Sequence, residues 1–209
     1  TSTDGLPWTP ATAHTSSNMS ATTVYEYDGN DVGDGNLTRT TALVDGDSAN
    51  DRVTSYLYDW RDRLISVKNG VQSVEQSDVN RPLVVRELDN LGRVVAERQY
   101  DSDGLSLADA DGNGVPDALD AETMRSHVEY AYDARGRVFR SDVYVIDQGS
   151  GDEASTPLST STWYSPRGLA VKVQSPNGLV NKSVFDGAGR LVTSYSSDGG
   201  DDSVWSDAD

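Results

Sequence analysis

The chain has 209 residues and a formal net charge of −17, with 27 Asp against 7 Glu and 14 Arg against 3 Lys. So acidic a chain repels nucleic-acid phosphates and anionic membranes, and no apolar run is long enough to span a bilayer, so neither nucleic-acid binding nor membrane insertion is expected. With no cysteine, disulfides, thiol nucleophiles and thiolate-held metals are excluded, and the compartment stays open.

The excess of Asp over Glu favours turns over helical surfaces, and the pattern along the chain is that of strands. Residues 1–21 are rich in Thr, Ser and Pro without a period and read as an extended arm. Strands are predicted over 22–28, 37–44, 52–60, 64–68, 83–88 and 93–100, then over 125–132, 138–146, 159–164, 170–174, 179–185 and 191–195. A turn or two of helix is expected near 117–125, and 198–209 is an acidic, glycine-rich tail. The domain reading is thus an arm (1–21), a β array (22–197) interrupted by an insertion (101–124), and the tail.

One device recurs between these strands. Tyr132-Asp133-Ala134-Arg135-Gly136-Arg137-Val138 returns as Phe185-Asp186-Gly187-Ala188-Gly189-Arg190-Leu191 and as Leu88-Asp89-Asn90-Leu91-Gly92-Arg93-Val94. Tyr58-Asp59-Trp60-Arg61-Asp62-Arg63-Leu64 keeps all but the glycine, Tyr164-Ser165-Pro166-Arg167-Gly168-Leu169 keeps the aromatic and the glycine, and Tyr27-Asp28 is an earlier head. The aromatic or apolar head closes a strand, and Asp folds its carboxylate back onto the backbone two residues on. Gly supplies a positive φ, and Arg opens the returning strand. Each copy therefore reads as a hairpin. The heads are 31, 30, 44, 32 and 21 residues apart, so the shortest step is the minimal unit and the longer ones carry loops.

These cores resemble the YD-repeat, or Rhs, family, over about 22–197. The resemblance implies an all-β fold, a curled antiparallel sheet of consecutive hairpins with little helix, of the kind that builds shells around toxin domains and the barrel of teneurin-type adhesion proteins. It also implies an extracellular or cell-surface setting, in bacteria.

The 44-residue step holds the sharpest local motif. Asp109, Asp111, Asn113, Asp117 and Asp120 place oxygen side chains at loop positions 1, 3, 5, 9 and 12, Gly114 falls at position 6, and the Val115 carbonyl would serve position 7. The loop resembles those of dockerins and thrombospondin type 3 repeats, which implies Ca2+ as the bound ion and a structural role in pinning the insertion. Asp120 stands where an EF-hand has Glu, which implies weaker binding. Its alternative is an Asp- and Gly-rich surface loop without metal. A second acidic loop, with Asp28, Asn30, Asp31, Asp34 and Asn36, has poorer spacing and reads first as a turn. Asp101 and Asp103 are outer ligands or solvating charges.

Catalysis has little support. His14 and His127 read as surface or packing residues, and aspartate pairs are too abundant to single one out. Ser165 stands where the self-cleavage signature of some Rhs shells has Asp, so that segment reads as a degenerate repeat. Sequons occur at Asn18, Asn36 and Asn181. Trp60, Trp163, Tyr100, Tyr130 and Tyr144 are expected to pair across the sheet, with sugar stacking as their alternative. The chain is therefore expected to be a non-catalytic extracellular building block of a fibre, shell or scaffold, self-associating through its ends or edge strands. A carbohydrate-binding or adhesion module, with surface glycans as partners, is the first alternative; a fragment of a toxin-encapsulating shell is the second.

Overall fold

The computed structural model describes residues 21–30, 33–44, 47–70 and 81–198. Residues 1–20 of the expected arm (with His14 and Asn18), Asp31 and all of the tail after 198 lie outside the described residues. Twelve strands follow in chain order: β1 (Thr23–Tyr27), β2 (Leu37–Ala42), β3 (Arg52–Tyr58), β4 (Leu64–Asn69), β5 (Pro82–Leu88) and β6 (Val94–Asp101). After the long insertion come β7 (Met124–Tyr132), β8 (Val138–Tyr144), β9 (Leu158–Tyr164), β10 (Ala170–Gln174), β11 (Val180–Phe185) and β12 (Leu191–Ser197). All pair antiparallel with their sequence neighbours in one open sheet, with β1 and β12 at its edges. The predicted strands are found within a residue or two; β3 stops at Tyr58, which leaves Trp60 in the turn, 77% exposed. The expected helix is a single 3-10 turn, Ala121–Thr123.

The two ends of the sheet differ. At one end lie the repeat turns, each closed by the Asp N–H on the Arg carbonyl (Asp59–Arg63, Asp89–Arg93, Asp133–Arg137, Asp186–Arg190). Gly92, Gly136 and Gly189 are left-handed there, and Asp62, at φ 59°, takes that place in the copy without glycine. A left-handed residue ending such a turn gives the hairpin its bulge, and the pairing register shifts at each of these heads, as between Ala131 and Tyr132. The other end carries loops of unequal length. Its tightest link, Ser175-Pro176-Asn177-Gly178-Leu179, repeats the same closure, Ser175 N–H to Leu179 and Gly178 N–H to Ser175, and accounts for the 21-residue step.

Between hairpins the register is invariant. The third residue of each returning strand pairs with the residue three before the next head: Arg39 with Ser55, Ser66 with Val85, Ala96 with Glu129, Arg140 with Ser161, Lys172 with Lys182. Because side chains alternate across a strand, one register at every junction keeps the same face of each hairpin on the same side of the sheet.

A single sheet cannot bury a face by itself, and the segment between β6 and β7 supplies the second layer. Ile65, Leu83 and Val85 form the buried cluster, with Leu105, Leu107, Val115 and Leu119 of the insertion packed on it. Polar anchors fix the cover: Lys68 Nζ donates to the Leu105 carbonyl at 2.9 Å and Ser66 Oγ donates to that of Gly114. Gly114 is left-handed, and a Cβ there would stand 2.6 Å from Ile65 Cβ, whereas Gly112, also left-handed, has open space. Gly114→Ala combines a backbone penalty of roughly 1–2 kcal/mol with overpacking of about 1–3 kcal/mol. Gly112→Ala carries only the first. Urea titration is expected to show Gly114→Ala as at least twice as destabilising; equal losses would mean that the insertion is not seated on Ile65.

Candidate functional site

Two places in the fold carry recurrent or convergent chemistry: the Asp-rich loop over the core, and the ladder at the repeat turns.

In the loop, carboxylate oxygens of Asp109, Asp111 and Asp117 lie within 4.8 Å of one another. They are aimed by backbone bonds. Asp109 accepts from the N–H groups of Asn113 (3.2 Å) and Gly114 (2.8 Å), Asp111 from Asn113 (3.1 Å), and Asp117 from Ala110 (3.0 Å). The side-chain Oδ1 of Asn113 accepts from Val115 N–H at 2.7 Å, and its Nδ2 donates to Asp111. Val115 leans on the core, and Asp117 N–H donates to the Ala108 carbonyl, closing the base of the loop. Asp120 stands apart: it caps the 3-10 turn, accepting from Glu122 N–H at 3.0 Å. The fold thus gathers positions 1, 3 and 9 and assigns position 12 to a cap. A convergence of three carboxylates is an oxygen donor set of the kind hard cations take, while the side-chain oxygen of Asn113 is engaged by Val115 N–H.

The neighbouring acids do other work. Asp103 pairs with the buried Arg81 at 3.3 Å, and Asp101 closes β6 opposite Pro82. In the first acidic loop Asp28 accepts from Gly35 and Asn36 N–H groups, the turn role expected for it.

At the repeat turns, Asp does more than fold back. Asp133 accepts from the N–H groups of Arg135 and Arg137 and from Arg137 Nε at 2.7 Å; Asp59, Asp89 and Asp186 repeat the pattern with Arg63, Arg93 and Arg190. The guanidinium side chain bonded to Asp133, followed by the backbone N–H of Arg137, holds its carboxyl down at about 2. For Asp89 and Asp186 the backbone N–H of the arginine leads and the carboxyl is again lowered. Burial pushes Asp59 upward, but the bonds from Arg63 and Arg61 outweigh it and the net shift is down.

Three of these arginines, Arg63, Arg93 and Arg137, each held by its own aspartate, then serve the next hairpin. Arg93 lies over the Tyr132 ring and Arg137 over the Tyr164 ring, at 4.5 and 4.3 Å to the centroids. Arg63 donates to the Asp89 carbonyl at 2.7 Å, and Arg137 to that of Ser165 at 3.4 Å. The second arginine makes its own rung, Arg135 to the Pro166 carbonyl and Arg167 to that of Gly187. Tyrosine completes the exchange in reverse: Tyr58, Tyr132 and Tyr164 hydroxyls donate to the Leu37, Val94 and Val138 carbonyls of the preceding hairpin. Sequence reasoning saw the turn and that arginine forks suit ladders across a sheet, but not that each fork lies within its own turn and aims the arginine at the next hairpin. The signal was present in the strict pairing of each Asp with an Arg four residues on, and in the aromatic heads.

Other expectations resolve simply. His127 is buried, stacked on its cross-strand partner Tyr144 at 4.5 Å, with Nδ1 2.5 Å from Glu153 of the β8–β9 loop, so it packs and ties down that loop. Tyr144 donates to Glu129; burial first, then that carboxylate, raises its phenol. Trp163 lies under the buried ammonium of Lys172, and Tyr100 packs on the core. Ser165 takes the place of Asp in an intact turn, its hydroxyl accepting from Leu169 N–H. Asn36 donates to Asp62, and Asn181 accepts from Ser196. No helix among the described residues is long and apolar enough to cross a membrane.

No protein-family model and no curated protein matches the chain. Solved structures do. The crystal structure of TcdB2-TccC3-TEV is 13% identical at a TM-score of 0.43, covering 90% of this chain and 9% of its own. That of TcdB2-TccC3-Cdc42 is 13% identical at 0.33, covering 84% and 12%. The Tc holotoxin pore of Photorhabdus luminescens is 14% identical at 0.28, covering 83% and 10%. The chain thus spans about a tenth of the length of these solved chains.

The depressed turn carboxyls fix a pH response. Their folded values lie below the ordinary 3.8, so the stability they add is complete above that value and is lost as pH falls through the folded one, about 2 for Asp133. Replacing Asp59, Asp89, Asp133 and Asp186 together by Asn is expected to lower Tm at neutral pH and to flatten its fall between about pH 4 and about pH 2. An acid limb as steep as in the unsubstituted protein would locate the response elsewhere.

Proposed function

We propose that the chain is a non-catalytic structural element, a stretch of stacked hairpins that acts as a building block of an extracellular shell, fibre or scaffold. One observation carries this reading: consecutive hairpins are joined in the same register at all five junctions, and at four of them an arginine of one turn reaches the next hairpin, so each unit is defined by its contact with the next. Such a one-dimensional stack gains stability by addition of units. The acids that could be suggested as catalysts are engaged in turns, caps and ion pairs, which suits a structural role.

Calcium is part of the same proposal. Ca2+ held by Asp109, Asp111, Asn113, Asp117 and the Val115 carbonyl would clamp the insertion onto Ile65, Leu83 and Val85. Asp120 would contribute only by leaving its cap. At a Kd of about 10⁻⁴ M, in the range of extracellular modules, 10 mM Ca2+ adds roughly 2.7 kcal/mol, a rise in Tm of about 5–10 °C. Calorimetry with and without Ca2+ is expected to show that rise, abolished in Asp109→Asn/Asp111→Asn, and electron microscopy in Ca2+ is expected to show assemblies longer than one chain. An unchanged Tm removes calcium from the proposal, and dispersed single particles at every concentration remove the building-block role.

A further inference from the structure

The ladder has a direction, and among the described residues its two end strands, β1 and β12, are each paired on one side only, with complementary groups on the other. Where the device is complete, a hairpin offers the next one an arginine held by its aspartate and the carbonyl of the first residue of its returning strand, and a tyrosine head receives both: Tyr132 from Arg93 and Val94, Tyr164 from Arg137 and Val138. At the last turn Arg190 Nε donates to Asp186 at 2.7 Å, yet its side chain is 81% exposed, against 26%, 31% and 27% for Arg63, Arg93 and Arg137. No aromatic ring lies over Arg190 among the described residues. The strand that follows, β12, is exposed along its whole length, with Leu191, Val192 and Tyr195 each more than half exposed. At the other edge the first head, Tyr27, is 51% exposed, whereas Tyr58, Tyr132 and Tyr164 are half-buried.

We propose that β12 is a docking edge for β1 of a second copy of this chain, in one determined register. The inference rests on the building-block reading and gives it a contact. The rule held at all five internal junctions, third residue of the returning strand against the residue three before the next head, pairs Thr193 with Val24. Val192 then faces Tyr25. Tyr27 comes under the Arg190 guanidinium, where Tyr132 lies under Arg93, and its hydroxyl reaches the Leu191 carbonyl, as Tyr132 reaches Val94. The joint satisfies strand-edge N–H and C=O groups and covers the apolar side chains of β12. Being heterologous, it leaves one copy's β1 and the other's β12 available for further additions.

The absence of cysteine gives a clean background for testing it. Full-length single-cysteine variants are mixed pairwise under mild oxidation: Thr193→Cys with Val24→Cys, Val192→Cys with Tyr25→Cys, and, two residues out of register, Tyr195→Cys with Val24→Cys. Disulfide-linked dimers are expected from the first two mixtures and at least tenfold fewer from the third, with Arg190→Ala reducing the yield in both in-register pairs. Sedimentation of the unsubstituted protein is expected to show mass rising with concentration. Equal cross-linking in and out of register overturns the proposal. So does long assembly without in-register disulfides, an outcome that leaves the building-block reading standing on another contact. A monomer at every concentration, as when another segment of the same chain covers β12, overturns both.

Discussion

The structure depends on one interaction repeated: an aspartate that closes a turn and, with its second oxygen, holds the arginine four residues on. Held in that fork, the guanidinium has its direction fixed and reaches the next hairpin with little further loss of side-chain freedom. A stacked cation on a tyrosine contributes about 0.5–2 kcal/mol, and a hydrogen bond from a charged group about 1.5–3 kcal/mol. Single rungs are modest; their repetition along one end of the sheet gives every hairpin a defined neighbour. The other end, free of that constraint, accommodates loops as different as the five-residue Ser175–Leu179 link and the insertion.

That insertion addresses the weakness of a single sheet, which has two faces and no second layer. The buried cluster at β4 and β5 exists because 105–119 folds over it. The Asp-rich loop is part of this cover, so whatever orders its carboxylates also orders the core. All three lysines, Lys68, Lys172 and Lys182, are buried, with Lys68 donating to the cover and Lys172 lying over Trp163. The exposed cations are therefore arginines, and most of those are tied to carboxylates or carbonyls.

Much of this was legible in the sequence because it is local. A turn of Asp, left-handed Gly and Arg is written in seven consecutive residues, and strands rich in Thr, Val and Tyr announce themselves. Spacing alone also brought Asp109, Asp111 and Asp117 together, since a loop that short leaves few ways to arrange them. What was hidden is what depends on pairs far apart in sequence. Asp120 is drawn to its own 3-10 turn, an energetic choice that spacing does not reveal. The stacking of Arg137 on Tyr164 requires knowing that the hairpins keep one register, and Trp60 fell out of its strand because the bulge at Tyr58 ends the pairing there.

The most direct measurement is a double-mutant cycle on Arg137 and Tyr164, using Arg137→Ala, Tyr164→Leu and the pair, by urea unfolding. If neighbouring hairpins are coupled through these rungs, the two substitutions together cost less than their sum, with a coupling of about 1 kcal/mol. Additivity within roughly 0.3 kcal/mol would contradict it.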